Sequence, residues 1–187
     1  MDAKKPAVFL DRDGVIIEEV QWLTKPEQVK VLPNAGKAIA KLNKSFLVII
    51  ISNQPVVGRG MCTEEDVKNA NDVMLKVIAK DSARIDAIYN CFHHPIHGIG
   101  KYKAECECRK PKPGMTLQAA KDFNIDLKSS FTIGDKIGDI KAGFLAGTKT
   151  ILVQTGYGGK DGFNDAVPDY VAKDLYSAVN IIMGETK

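Results

Sequence analysis

The chain has 187 residues, 44% of them hydrophobic and 26% charged, with a formal net charge of +3. That length suits one domain with a substantial core, and the composition is that of a folded soluble protein, not a disordered one. Lys and Arg are interspersed with Asp and Glu, which argues against a nucleic-acid surface, and the longest apolar run, Phe46 to Ile51, is far too short to cross a membrane. No apolar stretch behind the N-terminus suits a signal peptide, so a cytoplasmic monomer is expected.

The predicted elements alternate strand and helix. Residues 7–10 read as a short buried strand that ends abruptly in Asp11-Arg12-Asp13-Gly14. Two carboxylates so close together repel in a partly dry site unless a cation lies between them. A polar loop spans 18–30, and Pro33-Asn34-Ala35-Gly36 opens a helix with Ala38, Ile39 and Leu42 on its apolar face. Phe46 to Ile51 is a continuous β-branched run, as in a parallel strand buried on both faces, and Ser52-Asn53-Gln54-Pro55 follows as a turn. Thr63 is the predicted N-cap of the next helix, with Asp66 completing a loose capping box and Val67, Ala70, Met74, Leu75 and Ile78 forming the stripe. A third strand covers 85–89.

The pattern breaks over 91–113, a long loop of Cys, His, Lys and Pro. Beyond it come a helix from Pro113-Gly114-Met115 through Phe123, a strand over 130–133 ending in Gly134-Asp135, and a helix over 137–145 closed by Gly147. A strand over 150–153, a weak one over 170–172 and a final helix to Met183 complete the chain. This alternation predicts an α/β fold, a Rossmann-like three-layer sandwich around a mostly parallel sheet, all within a single domain. Between the first two strands only a loop and one helix fit, and the 91–113 loop is too short for a cap domain. The crevice is therefore expected to be uncapped.

A long loop inside a compact domain needs a reason, and the expected reason is a metal. Cys91, His93, Cys106 and Cys108 form a Cys3His set of the type that closes structural zinc sites, leaving no open position for catalysis. Disulfide pairing is the rival reading of the four cysteines, disfavoured in reducing cytosol. His94 is an adjacent decoy and His97 an ordinary loop residue.

Other strand ends carry candidate chemistry. Ser52 and Asn53 suit an oxyanion, although an Asx or Ser turn is an equally ordinary role. Arg109 and Lys110, directly after the metal loop, are able to clamp a phosphate, or are simply solvated charge. Asp135 would complete a hard-oxygen Mg2+ site with Asp11 and the Asp13 carbonyl. Asp139, on the same helical face, would orient Lys136 or a metal-bound water, unless it only complements the helix dipole.

Asp11-Arg12-Asp13-Gly14, Ser52-Asn53, Lys110-Pro111 and Gly134-Asp135 through Asp139 together resemble the motifs of the haloacid dehalogenase superfamily of phosphatases. More narrowly, Ser52-Asn-Gln, Arg59-Gly60, Cys91-x-His93-His-Pro95 and Cys106-x-Cys108-Arg-Lys-Pro-x-Pro-Gly114-Met115 resemble the branch that hydrolyses D-glycero-D-manno-heptose 1,7-bisphosphate, over roughly residues 7–155. The resemblance implies a Mg2+-dependent phosphatase removing the C7 phosphate, in the synthesis of nucleotide-activated heptose for lipopolysaccharide or a surface glycan. It makes Asp11 the nucleophile of an aspartyl-phosphate route and Asp13 the general acid and base. Lys110 and Ser52 would stabilise the transferring phosphoryl group together with Mg2+. Arg109, Asn53 and Lys136 would hold the substrate, aided by the loop from Glu19 to Trp22 and by Arg12, Gln54 and Arg59 of the matching strings. Pro55 and Gln21-Trp22 depart from the branch's pattern, in loops that would select the sugar. Histidinol phosphate hydrolysis is the alternative activity, a polynucleotide phosphatase a more distant one. A zinc-stabilised module that binds phosphate without turning it over is the non-enzyme alternative, disfavoured by the presence of both Asp11 and Asp13.

Overall fold

The computed structural model describes residues 4–184. Six parallel strands form one sheet: β1 (Ala7–Leu10), β2 (Leu47–Asn53), β3 (Ala87–Cys91), β4 (Phe131–Gly134), β5 (Lys149–Val153) and β6 (Tyr170–Ala172). Their spatial order is β3-β2-β1-β4-β5-β6, so the chain runs outward in one direction from β1 and then restarts on its other side with β4. That reversal is where open α/β sheets form their ligand crevice, beyond the carboxyl ends of the strands.

Alternation along the strands explains the layers. Val8, Leu10, Val48 and Ile50 face one side, packed with residues of α1 (Ala35–Leu42), α3 (Glu64–Ile78) and α6 (Leu175–Ile182). Ala7, Phe9, Ile49 and Ile51 face the other, against Met115 and Ala119 of α4 (Gly114–Asp122). Ile137 and Ile140 of α5 (Ile137–Ala146) pack on Leu152 of β5. All of β1 is buried, as a central parallel strand requires.

The fold is the predicted three-layer α/β sandwich. Between β1 and β2 the chain holds a loop, one 3-10 turn and α1, with no cap. The capping box of α3 forms: Thr63 Oγ1 accepts from Asp66 N at 3.1 Å, and Asp66 Oδ2 accepts from Thr63 N at 2.8 Å. Gly147, at φ +85°, closes α5.

Two differences bear on the site. The second strand continues past residue 51, so Ser52 and Asn53 are paired strand residues opposite Asn90 and Cys91. The third strand lies two residues later than expected and ends on Cys91 itself. The expected turn after β2 is in part a short helix, α2 (Pro55–Gly58), with Pro55 in its first turn, where a missing N–H costs nothing. Val56 and Val57 of α2 bury against Val67 of α3.

Candidate active site

The ends of β1 and β4 bring Asp11 and Asp135 together. Asp11 N donates to Ile133 O of β4 at 3.0 Å, which fixes the Asp11 carboxylate beside the tip of β4. Asp135 is fully buried; its Oδ2 accepts from Tyr157 N at 2.8 Å, while its Oδ1 has no hydrogen-bond partner. Burial and the charge of Asp11 push the Asp135 carboxyl up to about 8. Glycines at φ +80° (Gly14) and φ +60° (Gly156) flank it, where a Cβ would stand 2.3 Å and 2.2 Å from Asp135 Oδ2. Backbone thus encloses this carboxylate so closely that no side chain fits on either side.

Lys110 supplies the opposing charge. Its Nζ lies 2.9 Å from Asp11 Oδ1 and 2.7 Å from Asp139 Oδ1, and donates to Ile51 O at 2.9 Å. Burial opposes its ammonium form, but the two carboxylates outweigh that and raise its pKa. Burial likewise works against the Asp11 carboxylate, and Lys110 and Lys136 with the Arg12 N–H more than offset it, holding its pKa below the ordinary value. Asn53 holds the Lys110 backbone reciprocally, its Oδ1 accepting from Lys110 N at 3.1 Å and its Nδ2 donating to Lys110 O at 3.0 Å.

Asp139 meets Lys136 through the backbone. Its side chain takes the ammonium of Lys110 and the backbone N–H of Lys136, the latter at 3.1 Å, and does not touch the Lys136 amine. Lys136 Nζ turns instead to Glu19 Oε2 at 3.0 Å and over the Tyr157 ring.

Asp11, Asp135 and Asp139 each offer an oxygen within 4.8 Å of the others. Three buried carboxylates stand around the Lys110 ammonium, and Asp135 Oδ1, 4.0 Å from Lys136 Nζ, accepts no hydrogen bond. That excess of oxygen and negative charge suits a hard divalent cation.

Asp13 points into the cleft from a tight clamp. Arg12 NH2 reaches Asp13 Oδ2 at 3.0 Å and Oδ1 at 3.2 Å, and Gln54 Nε2 donates to Asp13 Oδ2 at 2.7 Å and to Ser52 Oγ at 2.8 Å. Burial pushes the Asp13 carboxyl up, against the pull of Arg12.

The cleft over these groups is about 440 Å³. Glu19, Trp22, Asn53, Gln54, Arg109 and Lys136 line it with Asp11, Asp13 and Lys110. Arg12, expected among the substrate contacts, is fully buried, its guanidinium engaged with Asp13 and with Asn71 Oδ1 at 2.8 Å. A buried guanidinium needs such partners. Ser52 is also buried, 1% exposed, and is not part of the cleft lining. Arg59 stacks on the Trp22 ring at 4.9 Å and reaches the cleft only through it.

Sequence reasoning missed the wall formed by Tyr157, Asp161 and Phe163. Asp161 accepts from Ile137 N at 3.0 Å and Gly138 N at 3.1 Å, satisfying the start of α5 from across the cleft rim. The glycines at 156, 158, 159 and 162 mark a tightly turned loop, the one signal that was available.

The Cys/His set also converges. Cys108 Sγ lies 3.0 Å from Cys91 Sγ, 3.2 Å from Cys106 Sγ and 3.5 Å from His93 Nδ1. His94 stays outside, its Nδ1 accepting from His97 N at 3.0 Å. Three thiols and one imidazole nitrogen around one point match the donor set of a closed tetrahedral zinc site.

This fold and site define a class. A family model described as HAD-hydrolase-like matches residues 107–178, and the chain is a phosphoric monoester hydrolase of the HAD-like type. It is 42% identical over 156 residues to D-glycero-alpha-D-manno-heptose-1,7-bisphosphate 7-phosphatase of Burkholderia mallei, covering 80% of each chain. It is 42% identical over 154 residues to D-glycero-beta-D-manno-heptose-1,7-bisphosphate 7-phosphatase of Vibrio cholerae, covering 81% of this chain and 83% of that one. The solved D,D-heptose 1,7-bisphosphate phosphatase of B. bronchiseptica, complexed with magnesium and phosphate, superposes with a TM-score of 0.84 at 30% identity over 97% of this chain and 99% of that one. Within the HAD-like hydrolases the chain belongs to the family of the D-glycero-D-manno-heptose-1,7-bisphosphate 7-phosphatases.

Proposed function

We propose that this protein removes the C7 phosphate of D-glycero-D-manno-heptose 1,7-bisphosphate through an aspartyl-phosphate, as a step toward nucleotide-activated heptose. The observation that carries the reading is the buried Lys110 ammonium between Asp11 and Asp139, beside the Asp135 oxygen that accepts no hydrogen bond, at the reversal point of the sheet. An ammonium there holds Asp11 as the carboxylate that attack requires. The relatives' own activities supply the substrate class.

In this reading Asp11 attacks phosphorus while Asp13 gives its proton to the leaving C7 oxygen. Water then attacks the aspartyl-phosphate, losing its proton to Asp13, and inorganic phosphate departs. Lys110 offsets charge on the phosphoryl oxygens. Asp11, Asp135 and the Asp13 carbonyl would hold Mg2+, which supplies further charge neutralisation when bound. Arg109 and Lys136 would bind the anionic and hydroxylated parts of the sugar phosphate, with Asn53, Gln54, Glu19 and Trp22 shaping the cleft. Ser52 would act through Gln54, not on the phosphoryl group directly. Cys91, His93, Cys106 and Cys108 would hold zinc, fixing the loop that delivers Arg109 and Lys110.

The test is phosphate release from both anomers of heptose 1,7-bisphosphate and from histidinol phosphate, with and without Mg2+. Preference for a heptose anomer and dependence on Mg2+ are expected. Faster turnover of histidinol phosphate would overturn the substrate assignment.

A further inference from the structure

We infer that Asn71, on α3 and outside the cleft, is a positioning residue that sets Asp13 for proton transfer by fixing the Arg12 fork. The inference rests on the reading of Asp13 as general acid and base.

Asn71 is 5% exposed, on the buried side of α3. Its Oδ1 accepts from Arg12 NH1 at 2.8 Å, and the other edge of the same guanidinium, NH2 and Nε, lies along the Asp13 carboxyl. A guanidinium is planar, so anchoring one nitrogen orients the rest. Gln54 Nε2 closes the arrangement from the cleft side. Asp13 is thereby held in one orientation by donors from two directions, only one of which faces substrate.

The clamp matches the charge that appears on Asp13 during the first step. As the Asp11–phosphorus bond forms and the bond from phosphorus to the C7 oxygen breaks, the Asp13 proton moves to that oxygen and a carboxylate remains. Donors already in place around it require no reorganisation at that moment. In the second step the same fixed carboxylate takes the proton from water while the Asp11–phosphorus bond breaks. Removing the Asn71 amide leaves Arg12 NH1 buried with no acceptor, so the guanidinium must turn and Asp13 turns with it. The second step is common to every ester, so in kcat/KM, which reports the first step, a shift of that kind tells on the ester whose leaving group needs a proton.

The experiment compares kcat/KM on two esters for wild type, Asn71→Ala, Asn71→Leu, Asn71→Asp and Asp13→Asn. One ester is whichever of heptose 1,7-bisphosphate and histidinol phosphate the wild type turns over better; its alkoxide needs a proton to leave. The other is 4-nitrophenyl phosphate, whose phenolate does not. For Asn71→Ala the ratio of alkyl to aryl kcat/KM is expected to fall about tenfold or more, within what misplacing a general acid costs. Asn71→Leu, which fills the volume but lacks the acceptor, gives the same comparison if the alanine variant does not fold, and Asn71→Asp, which keeps an acceptor toward Arg12, is expected to restore the ratio. Equal losses on both esters, or no loss, would overturn the inference while a lowered ratio in Asp13→Asn kept the role of Asp13. An unchanged ratio in Asp13→Asn would instead remove the reading on which it rests.

Discussion

Thr155 donates its hydroxyl proton to the carbonyl of Gly14 at 2.6 Å, tying the turn after β5 to the turn after β1 across the tip of β4. Asp135 lies in the gap this bond closes, between Gly14 and Gly156. Thr155→Val keeps the shape and removes the bond. It is expected to cost about 1 kcal/mol of stability and to raise the Mg2+ concentration needed for half-maximal activity, read by denaturant titration and by activity against Mg2+.

Gly156→Ala tests the same gap more severely. A Cβ there meets Asp135 Oδ2 at 2.2 Å and the Gly14 Cα at 2.7 Å, on a backbone at φ +60°. The carboxylate must move, and displacement of a reacting centre by an ångström costs about 10²-fold. Phosphate release is expected to fall by at least that factor while circular dichroism stays that of the wild type.

Asp11→Asn is expected to abolish turnover with the fold retained, since an amide cannot attack phosphorus. Lys110→Met differs. It leaves the Asp11 and Asp139 carboxylates buried without their cation, so it should lose both activity and about 3–5 kcal/mol of stability. Chemical denaturation of the two variants side by side separates these effects.

Metal analysis of protein purified without chelator is expected to give about one zinc per chain, the stoichiometry of a closed four-ligand site. Stripping the metal, or Cys106→Ser, should lower the melting temperature and the activity together, because Cys108 and Lys110 are two positions apart in one loop. Activity that survives complete zinc removal would contradict the role assigned to the loop.

Tyr89 gives a pH dependence away from the site. Burial, with Asp122 accepting from its hydroxyl at 2.7 Å, pushes the phenol up from 10.0 to about 12. A raised folded-state pKa means that its contribution to stability is complete below pH 10.0 and is lost as pH climbs through about 12. Tyr89→Phe is expected to be less stable than wild type at pH 9, with the gap narrowing as pH rises from there to 12, measured by urea unfolding.

Much of the site was legible because its signals are local. Asp11 and Asp13 stand at the end of an apolar run, Asp135 does the same on β4, and the Cys/His set falls in one loop. What the sequence hid were contacts between distant segments. Asn71 reads as an ordinary polar residue beside the stripe of α3, and only the fold places it against Arg12. Arg12 itself sits in a motif of cleft residues, and nothing in its neighbours says that its side chain turns inward. Tyr157, Asp161 and Phe163 lie among glycines in an irregular loop without periodicity, so no pattern marks them. The extra residues of β2 were missed for a related reason: Ser52 and Asn53 are polar, and their strand character comes from pairing with β3.

Among the described residues no cap lies over the crevice, and this has a kinetic corollary. A crevice open to bulk solvent lets reactant arrive and product depart without a closing motion, so turnover need not wait on a hinge. Such openness would be harmful to chemistry that water spoils. In the route proposed for this chain, however, water is the second reactant, and an unroofed pocket delivers it directly to the acyl phosphate.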